Sequence, residues 1–291
     1  SDQNSEFSAR ALTRNINSDK AKALADKGVS TVEADVDNYE SLVNAFEGAY
    51  GVYAVTFFWE HFSPEKEAAQ AESIAKAAKA AGVKHVIWST LEDTRILVPL
   101  DDNRMPTLND KYKVPHFDGK GEADKYFAEN DVPTTYLLTS FYWDNLIYFG
   151  MGPQKGEDGN YNFAMPMGDK TLPGIAAEDI GKSAYGIFKA GDKYIGERVG
   201  IVGESLTGKE MADKLGVALE KPIGYFPVPF DMYRGFEFPG ADDLGNMFQY
   251  KHDFNEKFCS SRSLDFTKTI NPEILSFDDW LDKYKNKIPL D

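Results

Sequence analysis

The sequence predicts an α/β protein: a Rossmann-like, doubly wound parallel sheet followed by a smaller C-terminal α/β domain. Three observations predict it. Short apolar or β-branched runs alternate with helix-like runs through the first half. The helix-like runs open on capping residues and stop at glycines. The rhythm then breaks after Asn145, where "GPQKGEDGNYNFAMPMGDKTLPG" is crowded with Gly, Pro and Asn. Strand–helix–strand repetition implies right-handed crossovers and a parallel sheet covered on both faces. The expected division is a sheet domain over 1–145, to which some later segments return, and a smaller substrate or partner domain over 146–291.

Taken in order, "FSARAL" has strand period and Thr13-Arg14-Asn15 turns the chain. "SDKAKALADKG" reads as a helix from an N-cap at Ser18 to a stop at Gly28. "STVEAD" is a strand, "NYESLVNAFEG" a helix ending at Gly48, and "GVYAVT" a buried strand. "SPEKEAAQAESIAKAAKAAG" carries Ser63 at the N-cap, Pro64 at the first helical position and Gly82 past the end. "VKHVIWS" is the next strand, "FDGKGEADKYFAEN" a helix and "VPTTYLLT" a strand. Beyond the break, "AAEDIGKSAYGIFKAG" returns to helix, "ERVGIVG" to strand and "LTGKEMADKLGVALE" to helix. The carboxyl ends of such parallel strands, beside the second domain, are where a ligand is expected.

Composition narrows the function. With 42% hydrophobic and 13% aromatic residues the chain can build a substantial core. A net charge of −15 without a basic run argues against sequence-independent nucleic-acid binding, which depends on Lys and Arg neutralising phosphates. The single Cys259 cannot form an internal disulfide and fits a reducing compartment. No apolar run approaches the roughly 18 residues of a membrane span, and the start is polar. A soluble cytoplasmic protein is expected, with a nuclear location open for a regulator. His61, His85, His116 and His252 are scattered, so no metal site is predicted, and no Gly-x-Ser-x-Gly elbow is present.

The chemistry-bearing residues fall at strand ends. Arg14 sits at the tip of the first visible strand with no carboxylate beside it. In a dinucleotide-binding sheet an Asp or Glu there takes the ribose hydroxyls of NAD, whereas an Arg pairs with the 2′-phosphate of NADP. Read alone, Arg14 is equally a solvated surface residue. Asp35 and Val36 end the next strand, suited to capping the following helix, to lining an adenine pocket, or to both. Thr56, Phe57, Phe58 and Trp59 close the strand after that, as core or as pocket lining. Short-chain dehydrogenases place a Ser at the end of the following strand, then Tyr and Lys four residues apart, the Lys lowering the Tyr pKa. Ser89 and Thr90 suit the first part, but "HFDGK" then offers His116 and Lys120 at helical spacing and no Tyr. Lys120 is a candidate for holding ribose hydroxyls or acting as a base. His116 is a candidate acid, or else a capping or surface histidine. Tyr185 and Lys189 match Tyr-x-x-x-Lys too far downstream, and "GESLTGKE" reads as a capping box from Thr207 to Glu210 rather than a phosphate loop.

The stretches "ALTRN", "GAYGVYAVTFFWE", "WSTLED", "VPHFDGKGEADKYF", "SFYWDNL", "FPGADDLGNMFQY" and "LSFDDWLDKYK" together resemble the NmrA-like family, an atypical branch of the short-chain dehydrogenase/reductase superfamily. The resemblance runs from about Phe7 to the C-terminus. It implies a Rossmann domain with a smaller C-terminal α/β domain, shared by dinucleotide-binding redox sensors that act through protein partners and by NADPH-dependent reductases of aromatic metabolites and quinones. Carried onto this chain, it implies that Arg14 and Asn15 meet the 2′-phosphate end and that Asp35 and Val36 flank adenine. Thr56, Phe57 and Phe58 line the cofactor channel, although "FF" replaces a more usual polar "NY". Lys120 reaches the ribose near nicotinamide, and Tyr142, Trp143, Asp144 and Asn145, matching a "YFEN" stretch, enclose the nicotinamide end.

The largest departure is at the start. A glycine-rich turn on a central first strand should precede "FSARALTRN", yet the first glycine is Gly28. A domain entered partway is the expected explanation, and dinucleotide binding is expected to be weakened without that turn. The missing Tyr favours an NADP(H)-binding, redox-sensing regulator, with NAD(H) as the lesser cofactor and a regulatory protein as partner, the chain being a monomer or homodimer. The alternative is an NADPH-dependent reductase of a quinone, enone or aromatic substrate, with Lys120 or His116 moving protons and Phe57, Phe58, Trp59, Phe141, Tyr142 and Trp143 stacking the substrate. A scaffold that has lost cofactor binding is a third reading.

Overall fold

A computed structural model of the chain describes residues 6–290; the polar start, 1–5, lies outside them. In chain order the first half forms β1 (Arg10–Thr13), α1 (Asp19–Ala25), β2 (Ser30–Glu33), α2 (Tyr39–Phe46), β3 (Gly51–Ala54), α3 (Pro64–Ala80), β4 (His85–Thr90), α4 (Pro115–Glu129) and β5 (Thr134–Leu138). The second half forms β6 (Phe141–Tyr142), α5 (Asn145–Tyr148), β7 (Gln154–Lys155), β8 (Tyr161–Ala164), β9 (Thr171–Ile175), α6 (Ala177–Lys189), β10 (Arg198–Gly200), β11 (Glu204–Thr207), α7 (Gly208–Ala218) and β12 (Ile223–Phe226). Helices then dominate: α8 (Phe230–Arg234), α9 (Ala241–Asp253), α10 (Asn255–Ser260), α11 (Leu264–Ile270) and α12 (Phe277–Tyr284).

The local signals act as read. Ser18, Asn38 and Ser63 each accept a backbone N–H of the helix they open, and Pro64 follows Ser63 at the first helical position. Gly28, Gly48 and Gly82 take φ of +81°, +71° and +68° just past those helices, a region L side chains avoid. Thr207 and Glu210 make the reciprocal capping box.

The parallel strands fall into two pieces. β3, β4, β5 and β10 form one parallel sheet in the order β10-β5-β4-β3, while β1 and β2 form a separate parallel pair. Side chains show how the two pieces sit. Arg10, opening β1, donates to the carbonyl oxygens of Ala45 (2.8 Å) and Glu47 (3.1 Å), just ahead of β3. Arg14, just past β1, meets Glu60, just past β3. The strands therefore run side by side in one direction, yet no backbone hydrogen bond joins them among the described residues. "FSARAL" is accordingly only half strand: Phe7 instead packs on Tyr50, Tyr185 and Phe188. β4, buried at every residue, is the centre of the larger piece.

The large sheet is covered on one face by α3 and α4, packed on Ala54, Val86 and Trp88. On the other face α6 packs Ile180, Ala184 and Ile187 against Ile87, Leu137 and Ile201. Since α6 and β10 lie far along the chain, the path leaves the large sheet after β5, builds β6–β9, and returns. The smaller module has two three-stranded sheets, β11-β9-β6 and β12-β8-β7, around a core that includes Trp143, Phe163, Phe248, Phe277 and Trp280. Among the described residues no helix is long and apolar enough to cross a membrane.

Candidate functional site

The turn that follows β3 lies across the N-terminal half of α4, and this crossing gathers the candidate residues. Gly119 and Gly121 make it possible. A Cβ on Gly119 would lie 3.1 Å from Pro64 of α3, and one on Gly121 would lie 2.6 Å from the Asp93 backbone nitrogen. Between them Lys120 points at the tip of β3. Its Nζ donates to Thr56 Oγ1 (2.8 Å) and Thr56 O (3.2 Å) and pairs with Glu67 Oε1 (2.8 Å), above the Trp88 ring. An ammonium has three N–H donors, so all of them are used. Glu67 is fully buried; it also accepts from the Thr56 hydroxyl, and its Oε2 has no partner among the described residues. Lys120 is thus a strut that fixes Thr56, and deleting it would strand a buried carboxylate at about 3–5 kcal/mol.

One helical turn earlier, His116 is held as a working imidazole would be. Asp243 in the first turn of α9 accepts from the His116 backbone N–H (3.1 Å) and lies 2.7 Å from Nδ1. A carboxylate on Nδ1 places the neutral ring's proton there and leaves Nε2 to accept or, when the ring is charged, to donate. Nε2 is not among the buried unpartnered atoms, so it keeps access to solvent. The ring packs against Trp59 (4.8 Å), Phe117 (4.8 Å) and Phe58 (5.9 Å). Gly240, at φ +83°, seats the start of α9 against this turn: a Cβ there would lie 2.8 Å from the Trp59 ring. Phe62 packs on Phe58 and Trp59 and is exposed, as are Phe57, Phe236 and Phe238.

At the tip of β1, Arg14 is exposed but engaged: its Nη1 lies 2.6 Å from Glu60 Oε1. The premise that no carboxylate stands beside Arg14 holds along the chain and fails in space, because the turn after β3 carries Glu60 back to it. Asn15 shapes the adjoining turn, its Oδ1 accepting from Asn17 N. Asp35 Oδ1 accepts from Asp37 N, Val36 packs partly on the core, and Asn38 is the residue that caps α2. Asp37 is bound by Lys66 and Gln70 of α3.

The last candidates, at and just past the end of β6, go separate ways. Tyr142 bonds Thr139 through its hydroxyl (3.2 Å). Trp143 points into the small-module core against Phe277 and Trp280, where Gly174 leaves it room. Asp144 accepts from Ala177 N and so holds the start of α6, and Asn145 opens α5. Phe58 is likewise buried, while Phe57 is 56% exposed. Ser89 is buried near the end of β4, and Thr90 is committed to Asp124. Lys189 lies over the Tyr185 ring at the opposite end of the sheet, where Phe188 meets Gly51, the first residue of β3.

Sequence reading missed Glu60, Glu67 and Asp243. Asp243 lay inside the quoted "FPGADDLGNMFQY", whose family likeness was the only signal available. The NmrA-like family profile matches residues 2–281. The chain belongs to the NmrA-like family. Among its NmrA-like relatives is the oxidoreductase FrzB of Cladobotryum sp, 27% identical over 254 residues, which spans 83% of this chain and 74% of that protein. The NAD(P)H azoreductase of Xenophilus azovorans is 27% identical over 232 residues, 79% of this chain and 71% of the other. By structure, the negative transcriptional regulator NmrA superposes with a TM-score of 0.74 at 21% identity, covering 95% of this chain and 86% of its own. The triphenylmethane reductase of Citrobacter sp. gives 0.72 at 18%, covering 94% and 88%. These likenesses agree with the Rossmann-like fold.

Of the residues that would hold a nicotinamide dinucleotide, Arg14 and Asp35 lie just past β1 and β2, and Thr56 and Phe57 lie just past β3. Backbone donors for a pyrophosphate, expected on a glycine-rich turn, are not found ahead of β1 among the described residues.

Proposed function

We propose that this NmrA-like protein is a nicotinamide-dinucleotide-dependent reductase of a flat conjugated substrate, with His116 delivering the proton. The observation that carries the proposal is the His116–Asp243 pair. A buried carboxylate on Nδ1 fixes the ring and orients Nε2, the positioning that general acid–base catalysis needs. The bound dinucleotide would supply hydride. The chain's own residues then do the remaining work: Phe57 and the exposed rings around it stack the substrate, Thr56, fixed by Lys120 and Glu67, shapes the floor, and His116 gives up the proton from Nε2. The relatives named above, an NmrA-like oxidoreductase and an NAD(P)H azoreductase, support this class. Cofactor-dependent regulation without turnover is the second reading, favoured by Lys120, whose donors are all taken.

The test is turnover of NADPH and NADH with a panel of quinones and azo compounds. Asp243→Asn should lower kcat about 10²–10⁴-fold, the range of a positioned acid–base group, while leaving KM near its original value. Dinucleotide binding without turnover of any panel member would support the regulatory reading instead.

A further inference from the structure

The surroundings of Arg14 bear on a question the fold leaves open, which dinucleotide is preferred, and the inference rests on the dinucleotide reading above. Arg14 is the cation at the β1 tip, but Glu60 already holds it at 2.6 Å. Asp35 and Asp37 add their field to the guanidinium, and the nearby Lys66 is spent on Asp37 at 2.9 Å. Three carboxylates therefore face two cations at the place where a 2′-phosphate, carrying about two negative charges, would have to bind. The Arg14–Glu60 pair also spans the gap between the separate sheets, one partner just past β1 and the other just past β3.

We propose that Glu60 is a specificity-determining residue: it occupies Arg14 as an internal anion, latches the adenosine end of the gap, and cancels most of the preference for NADP(H) that Arg14 would otherwise confer. A 2′-phosphate must displace the Glu60 carboxylate and then sit among Asp35, Asp37 and the released Glu60. The unphosphorylated ribose of NAD(H) faces no such repulsion, and its hydroxyls find acceptors in the same carboxylates. Exposure keeps the latch weak, so it biases the choice without blocking entry.

The test is titration of the full chain with NADPH, NADH and 2′,5′-ADP, read by intrinsic tryptophan fluorescence, for wild type, Glu60→Gln, Arg14→Ala and, as a surface control, Glu72→Gln. Wild type should favour NADPH over NADH by less than about tenfold, less than one charge-assisted contact to a phosphate normally supplies. Glu60→Gln should raise the NADPH-to-NADH affinity ratio about twofold to fivefold, the worth of an exposed pair, and tighten 2′,5′-ADP in parallel. Arg14→Ala should remove the ratio, and Glu72→Gln should leave it alone. Both dinucleotides binding with an unchanged ratio in Glu60→Gln, or losing affinity equally, would overturn the role of Glu60 while sparing the dinucleotide reading. Binding of none of the three ligands to any variant would overturn both.

Discussion

Lys251 shows how far a single side chain can depart from what its type suggests. It lies near the end of α9 among the rings of Phe117 (5.4 Å), Phe258 (5.3 Å) and Phe248 (5.7 Å). Burial, reinforced by the neighbouring Arg262 and opposed by Glu92, pushes the ammonium down to about 7 from its ordinary 10.5. Glu92 is itself bound by Arg262 (2.6 Å), so Lys251 has no carboxylate of its own. The sign follows from proton counting. Between about 7 and 10.5 the unfolded chain holds a proton on Lys251 that the folded chain has released, so this residue makes stability rise with pH across that window. Lys251→Met, which keeps volume and removes charge, should raise Tm at neutral pH and flatten that rise relative to wild type in melts taken from pH 6 to 10. A flat difference between the two proteins would show that the amine finds a partner when charged. "FQYKHDF" alone does not announce this behaviour, because two of the three rings, Phe117 and Phe258, come from α4 and α10.

At the scale of elements, α4 is the piece on which the site depends. Its sequence was legible as a helix, and its two candidates lie one turn apart as spacing requires. What spacing does not show is the reason for Gly119 and Gly121 on either side of Lys120, residues that weaken an isolated helix. They are there because α3 and the segment after β4 approach too closely for a side chain. Gly121→Ala should therefore destabilise the protein by about 1–3 kcal/mol, an overpacking cost, although alanine is the better helix former. Urea unfolding measures it, and a stabilised variant would mean that the Asp93 backbone moves aside freely. Asp118 belongs to the same joint: fully buried, it accepts from Thr94 N and Oγ1, Lys113 N and Val114 N, tying the helix start to the preceding loop.

At the scale of the molecule, the two-piece sheet sets an order of stability. β4 and β5 are central, packed on both faces and hydrogen-bonded on both edges. Among the described residues β1 pairs only with β2, and its Leu12 is exposed; the pair is held to the rest through Arg10, Arg14 and α2, whose Leu42, Ala45 and Phe46 join the core beneath α3. Segments with few buried contacts open first. Amide hydrogen exchange should show β1 and β2 losing protection well before β4 and β5, with α2 intermediate. Added dinucleotide should protect β1 and the 56–60 turn together if it binds across the gap. Equal protection of all strands would indicate that the two pieces unfold as one unit.

Local rules carried the sequence a long way: strand and helix alternation, the caps at Ser18, Asn38 and Ser63, the terminating glycines and the family resemblance each rest on residues close together in the chain. By itself the sequence determined a Rossmann-like α/β protein of the NmrA-like kind and brought forward Arg14, Thr56, His116 and Lys120. Only the tertiary structure decided what those residues do. Glu60 reaches Arg14 from 46 positions away, Glu67 saturates Lys120 from another helix, and Asp243 orients His116 across 127 residues. It also sent Trp143 into the core between the half-buried Tyr142 and Asp144. Charge pairing depends on distance in space, and nothing in residue type or local period encodes which distant carboxylate arrives.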